Sequence, residues 1–425
     1  MIGLRSVTVL EHEWVAVHDR AHGRSATMPD DAQQAWLTPE EAQALLRLNA
    51  QRPGFCQASF GGIKLAQYCG IVRLPTCIVE VLPKVSLDDD RAPEELRRSR
   101  GTLLRMLHSA DTLALTILHA TPQSTTQAPL LDVFIETFLN FTLDQARRGL
   151  LFRYVQESDG LRTLRGRFNS REQARHSIVR PHLLQCDFDA FTADNPYNQA
   201  VRATLQSCRA WISRAHTQRL WFEAQACLAG VSLRQMTGQD VARLARDRTT
   251  RHYEPLLRWC QWLLSLDSPG LRSGLHEAPG LLFDMNTLFE NIVSVEVEAS
   301  VGDDLLVQRQ APARYLAHVG ETQGVFLMAP DITVATRARA DAASRIVRIV
   351  DAKWKRLTPS STSWGVGVDD IYQMLAYALR YQCRHVELVY PMPEHQRRSL
   401  PAPPCFSLPG NGPEPIEVSV RTLAL

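Results

Sequence analysis

Three side chains in the C-terminal part of the sequence have types and a spacing that suit phosphodiester chemistry. Asp331 lies twenty residues before Asp351, and Lys353 follows in the pattern Asp-x-Lys. Because successive side chains of a strand point to opposite faces, Asp351 and Lys353 share one face of a strand. The polar stretch 337–344 fits a hairpin that brings Asp331 beside Asp351. We therefore expect these three residues to form one site.

Two neighbouring carboxylates repel each other, which raises the pKa of one of them. A divalent cation removes this repulsion, and carboxylates, a backbone carbonyl and water suit Mg²⁺, with Mn²⁺ as an alternative. Such a metal lowers the pKa of its bound water, and with Lys353 it stabilises the charge that develops on phosphorus. The pattern predicts a site for phosphodiester hydrolysis with Asp331 and Asp351 as metal ligands.

Two flanking segments supply accessory candidates. Glu290 lies among apolar residues on a helix predicted for 284–299, and a nearly buried glutamate needs a partner, for which a metal or its bound water is a candidate. Gln373 shares a face with Tyr377 on a helix predicted for 369–382, and it is placed to orient a water or a phosphate. A structural cluster of ion pairs is the alternative, since Asp-x-Lys alone is uninformative. The joint occurrence of all these features favours the catalytic site.

The elements that position these residues alternate between helix and strand. Beyond the two helices, strands are predicted at 305–308, 325–336, 345–353, 385–390 and 416–420, with a proline-rich segment at 399–415. The resulting order, α-β-β-β-α-β, predicts a mixed sheet flanked by helices.

The preceding part of the chain divides into a β-rich and a helical region. Strands are predicted at 6–10, 15–17, 63–65, 71–74 and 78–82, with Gly70 as a turn, and helices at 38–48 and 93–110. The first of these helices opens with a Thr38–Glu41 capping box. Further helices are predicted at 129–149, at 194–215 opened by Asp194, at 238–247 and at 253–266. A Gly/Pro-rich stretch at 268–280 indicates a boundary, which gives three regions: 1–120, 121–275 and 276–425.

Composition excludes several classes of protein. The 425 residues carry a net charge of +2 and contain no long apolar run that would span a membrane. The N-terminus meets charge too early for a secretory signal, so we expect a cytoplasmic protein. Nine scattered cysteines indicate reduced thiols in a core. P-loop, dinucleotide-binding, zincin and α/β-hydrolase motifs are absent from the sequence, so the chain is not expected to hydrolyse nucleotides itself.

The basic residues are distributed unevenly. Only four of the 47 are lysine: Lys64, Lys84, Lys353 and Lys355. Six arginines fall between positions 162 and 180, among them Arg165, Arg167, Arg171 and Arg175. A solvated face is one interpretation of this arginine-rich segment. A strip that contacts nucleic-acid phosphates or a protein partner is the other.

The sequence motifs around these residues are more specific than the spacing of the residues alone. The segments FDMNTLFENIV, APDITV, IVDAKWK and DIYQMLAYA resemble the McrC family of McrBC-type modification-dependent restriction systems, within the PD-(D/E)xK nuclease superfamily. Upstream stretches also resemble landmarks of that family: 74–84 (Leu-Pro…Leu-Pro-Lys), 164–168 (LRGRF) and 191–198. The resemblance thus covers most of the chain, and it is firmest after residue 275.

This resemblance implies an α+β multidomain fold: a β-rich N-terminal region, a helical middle and a C-terminal α/β PD-(D/E)xK nuclease core. It implies a McrB-like AAA+ GTPase ring as the partner, which the N-terminal part engages and stimulates. The C-terminal part would cut DNA, with modified bases recognised by the partner and cleavage linked to pairing of nuclease domains or complexes. By residue, Asp331 and Asp351 would bind the metal, Lys353 would be the catalytic lysine, and Glu290 and Gln373 would be accessory.

Two other functions fit less well. A non-catalytic adaptor that only activates an AAA+ partner conflicts with the intact Asp331, Asp351 and Lys353 set. A stand-alone repair nuclease of the same superfamily leaves the long N-terminal half without a role. Both alternatives stay open at the level of the sequence.

Overall fold

The computed structural model describes residues 5–18, 35–51, 53–85, 92–110, 128–176, 179–266, 280–320, 323–337, 344–410 and 413–425. The described strands are β1 (Arg5–Leu10), β2 (Trp14–Val17), β3 (Trp36–Leu37), β4 (Cys56–Ser59), β5 (Gly62–Leu65), β6 (Tyr68–Arg73), β7 (Cys77–Leu82), β8 (Arg153–Leu161), β9 (Arg167–Phe168), β10 (Leu184–Thr192), β11 (Gly280–Asp284), β12 (Leu305–Arg309), β13 (Arg314–Val319), β14 (Gln323–Met328), β15 (Ile332–Thr336), β16 (Ile346–Ala352), β17 (His385–Met392), β18 (Cys405–Leu408) and β19 (Ile416–Ala424). The described helices are α1 (Pro39–Gln51), α2 (Pro93–Ser109), α3 (Leu130–Arg148), α4 (Ser170–His176), α5 (Pro196–Cys208), α6 (Ala215–Cys227), α7 (Gly238–Ala242), α8 (Glu254–Leu266), α9 (Met285–Ser300), α10 (Val368–Tyr381) and α11 (Glu394–Arg397).

Two four-stranded sheets form the N-terminal region. One has the order β3-β2-β5-β4, and the other, here the N-terminal sheet, has the order β1-β7-β6-β11. Helix α1 begins with the expected capping box, in which the Thr38 and Glu41 side chains each accept a hydrogen bond from the other residue's backbone N–H. Apolar residues of α1 and of both sheets bury one another, so this region has a core of its own.

Strand β11 joins the N-terminal sheet although it lies about two hundred residues later in the chain than β6, its antiparallel neighbour. Gly70 faces Leu282 in this pairing, with a φ of +135°. A Cβ on Gly70 would lie 1.9 Å from the Leu281 carbonyl oxygen. The expected turn at Gly70 is therefore wrong, because this glycine lies inside β6 and allows a close backbone approach.

The middle region combines helices with a small sheet that the sequence did not predict. Strands β8, β10 and β9 form this sheet in that order, next to the arginine-rich segment. The helix expected at 194–215 is shorter, since α5 ends at Cys208 and α6 is separate. Its N-cap is Asn195, whose side chain accepts hydrogen bonds from two backbone N–H groups, whereas Asp194 binds Ser232 instead.

The C-terminal region is built on a six-stranded sheet with the order β12-β15-β16-β17-β19-β18, here the large sheet. Strands β12, β15 and β16 pair antiparallel, and β17 runs parallel to both β16 and β19. The single strand expected at 325–336 is wrong. The chain breaks at 329–331, and the residues before it pair with β13 as a separate two-stranded hairpin, β13–β14.

The two faces of the large sheet bury different residues of the same strand, β16. Val350 and Ala352 pack on the side of α9, in a core that continues through the helical middle to the N-terminal sheet. Ile349 packs on the side of α10, in a separate core. This alternation directs Asp351 toward the α10 side.

All nine cysteines are free thiols, and seven of them are buried as expected. Cys227 and Cys405 are exposed. Among the helices that the structure describes, none is long and apolar enough to cross a membrane.

Candidate active site

Asp331 is the last residue of the break between the β13–β14 hairpin and β15, directly before Ile332. Antiparallel pairing places Ile332 opposite Val350, so Asp331 reaches the end of β16. Its Oδ2 accepts a hydrogen bond of 2.9 Å from the Ala352 backbone N–H. The expected hairpin thus brings Asp331 beside the Asp-x-Lys segment.

Asp351 and Lys353 lie on one face, as the strand alternation predicts. The Lys353 Nζ lies 2.7 Å from Asp351 Oδ2, and Asp351 is 1% exposed. This contact is a close ion pair between a buried carboxylate and a lysine ammonium. A buried carboxylate needs a positive charge beside it, and Lys353 supplies one.

The electrostatics of the two aspartates favour a bound cation. Burial, and after it the Asp331 charge, raise the pKa of Asp351 to about 7 against the opposing effect of Lys353. Burial and the Glu290 charge raise the pKa of Asp331 to about 6. Burial alone would lower the pKa of Lys353, but Asp351 and the other nearby carboxylates outweigh burial and raise it. Neighbouring buried carboxylates thus carry more negative charge than one lysine neutralises at neutral pH.

Gln373 lies on helix α10 and contacts Lys353 directly. The Lys353 Nζ donates a 2.8 Å hydrogen bond to Gln373 Oε1, and the Gln373 amide donates one of 3.0 Å to the Tyr377 hydroxyl. Tyr377 in turn donates to the Ala329 carbonyl oxygen at 3.3 Å. This chain of hydrogen bonds runs from the lysine back to the segment before Asp331. It holds the lysine in place and ties α10 to both aspartate-bearing strands.

Glu290 lies on α9, which packs on the opposite face of the large sheet. Burial raises its pKa, and the charges of Asp351 and Asp284 raise it further. Gln310 links it to the aspartates, because this side chain hydrogen-bonds Glu290 and approaches Asp331 Oδ1 to 3.5 Å. Sequence reasoning missed Gln310, since nothing in the pattern Gln-Ala-Pro after a strand signals this contact.

The donor set fits Mg²⁺ better than a metal with an all-protein cage. Within the described residues, no three His, Cys, Asp or Glu side chains converge to form a ligand group. Mg²⁺ is commonly held by one or two carboxylates and keeps several waters. Asp331 and Asp351 are two carboxylates held at one strand end, which matches that requirement. The charge of Glu290 raises the pKa of Asp331, and its role as an accessory metal ligand stays a prediction.

A second layer of polar contacts surrounds the site and was not predicted. The Trp354 indole N–H donates to both carboxylate oxygens of the buried Glu11, at 2.9 and 3.0 Å. The Trp354 ring also packs against Phe289, with ring centroids 5.4 Å apart. Lys355 pairs with Asp370 at 3.0 Å. The residues that follow Lys353 are thereby fixed to the N-terminal region, to α9 and to α10.

The four arginine candidates lie far from these aspartates in the sequence, on and beside the small sheet of the middle region. Arg165, Arg167, Arg171 and Arg175 are all exposed. The Arg165 guanidinium lies 4.2 Å from the centre of the Phe188 ring, and Arg175 pairs with Glu172 at 2.8 Å. Exposed apolar side chains lie among them, notably Leu164 and Phe168. This surface is both basic and apolar.

Comparison of the sequence with known families gives a match over most of the chain. Residues 63–391 match the profile of the McrBC 5-methylcytosine restriction system component family. This chain belongs to that McrBC family. The matched range includes Asp331, Asp351, Lys353 and the accessory positions Glu290 and Gln373. The resemblance to McrC that the sequence motifs indicate is thereby confirmed.

Two solved structures are similar to this McrBC family member, and the first of them supports its fold. A chain in a half-complex from a tetradecameric assembly of Thermococcus gammatolerans McrB AAA+ hexamers with bound McrC has a TM-score of 0.65 and 16% sequence identity, with 99% of this chain and 95% of that chain covered. A chain in the cryo-EM structure of the Thermococcus gammatolerans McrBC complex is 17% identical over 69% of this chain and 87% of that chain, with a TM-score of 0.46. No curated protein matches the sequence.

Proposed function

We propose that this chain is the Mg²⁺-dependent DNA endonuclease subunit of a McrBC-type restriction complex, with a PD-(D/E)xK core in its large sheet. The observation that carries the proposal is the pair of carboxylates Asp331 and Asp351 beside Lys353, whose Nζ lies 2.7 Å from Asp351 Oδ2. Mn²⁺ is an alternative to Mg²⁺ at such a site. A cytoplasmic location and DNA with modified bases as the substrate belong to the same proposal.

The residues have separate tasks in this function. Asp331 and Asp351 hold the metal, which when bound supplies Lewis-acid stabilisation and a more acidic water. The Lys353 ammonium stabilises the negative charge that develops on the phosphoryl oxygens. Gln373 keeps that ammonium in position through its 2.8 Å hydrogen bond. Glu290 contributes negative charge beside the pair, which favours a cation at the site.

Cleavage by single-residue variants tests the nuclease proposal. Asp351→Ala and Lys353→Ala should each reduce the rate of DNA cleavage by a factor of at least about 10² with Mg²⁺ present, because each removes a group that acts in the transition state. The matched control is Asp303→Asn, an exposed residue of the same region, which should cut at the wild-type rate. Retained cleavage by either active-site variant contradicts the assignment. A wild-type complex that binds its partner and cuts no DNA would favour the adaptor function instead.

We also propose a McrB-like AAA+ GTPase ring as the partner, as in the assembly that the similar structure contains. The basic and apolar surface around Arg171 and Arg175 is the proposed contact. Exposed apolar side chains beside the arginines favour a protein partner over a DNA backbone, because phosphates offer no apolar complement. No nucleotide-binding motif occurs in this chain, which leaves the motor to another subunit.

Charge reversal at this surface tests the partner contact. Arg171→Glu with Arg175→Glu, in the full chain, should weaken assembly with the ring and reduce stimulation of its GTP hydrolysis. The salt dependence of DNA binding by any complex that still forms should stay unchanged. Size-exclusion chromatography, phosphate release and DNA binding over a salt series separate these effects. A shallower salt dependence with normal assembly would assign the arginines to DNA, and no change in any assay would leave a solvated face.

A further inference from the structure

The β13–β14 hairpin presents an apolar surface next to the proposed nuclease site. Its two strands form a sheet of their own, outside the large sheet. Among the described residues of the hairpin, large apolar side chains are exposed at five positions: Tyr315, Leu316, Val319, Phe326 and Leu327. Exposed apolar side chains concentrated in so short a segment indicate a binding surface.

Phe326 is the most exposed of these residues, and its backbone is strained. Its φ is +58°, in the left-handed region that residues with a Cβ rarely adopt. Phe326 is 72% exposed, and the residue after it, Leu327, is 62% exposed. Neither the strain nor the exposure stabilises the folded chain. Strain of this kind is found where function requires a particular direction of a side chain, and here it leaves an aromatic ring in solvent.

The base of the hairpin is fixed beside the metal ligand Asp331. The Tyr381 hydroxyl on α10 lies 2.6 Å from the Pro312 carbonyl oxygen, before β13, and 2.8 Å from the Met328 carbonyl oxygen, at the end of β14. Two residues separate Met328 from Asp331. Consecutive Cα atoms are about 3.8 Å apart, so the end of β14 lies within about 11 Å of Asp331. A substrate bound at Asp331 therefore lies beside the base of the hairpin.

Positive charge lies at the same base. Arg380 on α10 donates a 2.7 Å hydrogen bond to the Tyr315 carbonyl, and Arg314 donates one of 3.1 Å to the Arg380 carbonyl. Within the described part of the chain, neither arginine forms an ion pair with a carboxylate. Uncompensated positive charge beside exposed apolar side chains suits an anionic partner that also offers apolar surface. A DNA duplex offers both, in its phosphates and in its bases.

We propose that this hairpin contacts the DNA duplex beside the cleavage site, with Phe326 and Leu327 packed against bases in the minor groove. The proposal rests on the nuclease function proposed above. A duplex advances by about 3.4 Å per base pair, so the base of the hairpin meets it within about three base pairs of the phosphate at Asp331. Apolar side chains that enter the minor groove partly unstack the bases. The contact would fix the duplex relative to the metal site.

Binding of a short DNA duplex by the full chain, in EDTA so that no strand is cut, tests this contact over a salt series. Phe326→Gly should weaken binding by about tenfold, because stacking of one base on an aromatic ring contributes a factor of this size. The slope of log affinity against log salt should stay unchanged, because no phosphate contact is lost. Phe326→Tyr keeps the ring and should bind as wild type does. The matched control is Phe60→Gly, since Phe60 is also exposed and should leave the affinity unchanged.

Two further measurements accompany the binding assay. Glycine adopts a positive φ without strain, so Phe326→Gly should unfold at a denaturant concentration close to that of wild type, which separates a lost contact from a lost fold. Duplexes that carry the fluorescent base 2-aminopurine at successive positions report unstacking. Wild type should increase the fluorescence at one or two positions near the cut, and Phe326→Gly should not.

The outcomes separate this contact from the nuclease proposal. If Asp351→Ala abolishes cleavage while folded Phe326→Gly binds DNA as wild type does, the contact is overturned and the nuclease stands. If wild type cuts no DNA and Phe326→Gly still binds more weakly, the contact stands without the nuclease. At unchanged DNA affinity, a change in oligomeric state in size-exclusion chromatography would assign the hairpin to a second copy of this chain, and lost assembly with the ring would assign it to the ring. Either result would overturn the DNA contact, as would a wild type that binds no duplex at low salt.

Discussion

Replacement of Asp351 by asparagine should stabilise the metal-free protein, although it removes a residue that the proposed reaction needs. Asparagine has nearly the shape of aspartate and mimics its uncharged form. The pKa of Asp351 is about 7 in the folded protein, against an ordinary value of 3.8. Between these two values the folded protein holds a proton that the unfolded chain has released, so stability falls as pH rises from about 4 to about 7.

The size of the effect follows from that difference. A separation of about three pKa units corresponds to about 4 kcal/mol of lost folding free energy once the pH exceeds the folded value. The variant has no such loss, so its advantage over wild type should grow from about 2 kcal/mol near pH 5 to at most about 4 kcal/mol near pH 8. Asp331, with a pKa of about 6, responds in the same direction but is coupled to Asp351, so the two contributions do not add.

Denaturant unfolding in EDTA at the two pH values measures this advantage, with Asp303→Asn as the control that should show none. Added Mg²⁺ should stabilise wild type by mass action and leave Asp351→Asn nearly unchanged, because the variant lacks one ligand. The reasoning would be refuted by a variant that is less stable than wild type near pH 8 without metal, or by an advantage that does not increase with pH. Either result would mean that Lys353 already compensates the buried charge.

Two further predictions concern the support of the site and of the fold. Gln373→Ala should lower kcat for DNA cleavage by about 10- to 100-fold with little change in KM, because it frees the Lys353 ammonium without removing it; a KM effect alone in steady-state cleavage assays would assign Gln373 to substrate binding. Gly70→Ala should destabilise the protein by more than about 1 kcal/mol in denaturant unfolding, because the new Cβ would meet the Leu281 carbonyl at a positive φ. Gly230→Ala, where nothing lies within 4 Å, is the control, and equal stability of the two variants would contradict the close approach.

Local sequence signals predicted the parts of the site that a single strand or helix determines. Strand alternation placed Asp351 and Lys353 on one face, and helical spacing placed Gln373 beside Tyr377. A polar stretch of suitable length predicted that Asp331 would reach the same strand end. Each of these inferences depends on residues close in sequence or on one hairpin, where geometry leaves few alternatives.

Contacts between distant segments were beyond such reasoning. A glycine at position 70 suggests a turn to sequence analysis. Gly70 nevertheless lies inside a strand, because it pairs with β11, which lies far along the chain. The break at 329–331 was missed because apolar residues continue on both sides of it. Nothing in the sequence around Glu11 indicates that it is a buried acceptor, because its hydrogen-bond donor, Trp354, lies 343 positions away.

Because of these contacts between distant segments, the roles of residues in this protein should be tested by point substitutions and not with separated fragments. A cut in the segment 267–279, where the composition indicates a boundary, would separate β11 from β6 and leave an unpaired strand edge on the N-terminal sheet. The Trp354 indole would lose its acceptor, Glu11, and an unsatisfied buried donor costs about 1–3 kcal/mol. One continuous core also runs from Leu10 to Val350. A separated nuclease fragment would therefore lack contacts that fix the strand after Lys353, and loss of cleavage by such a fragment would not identify a catalytic residue.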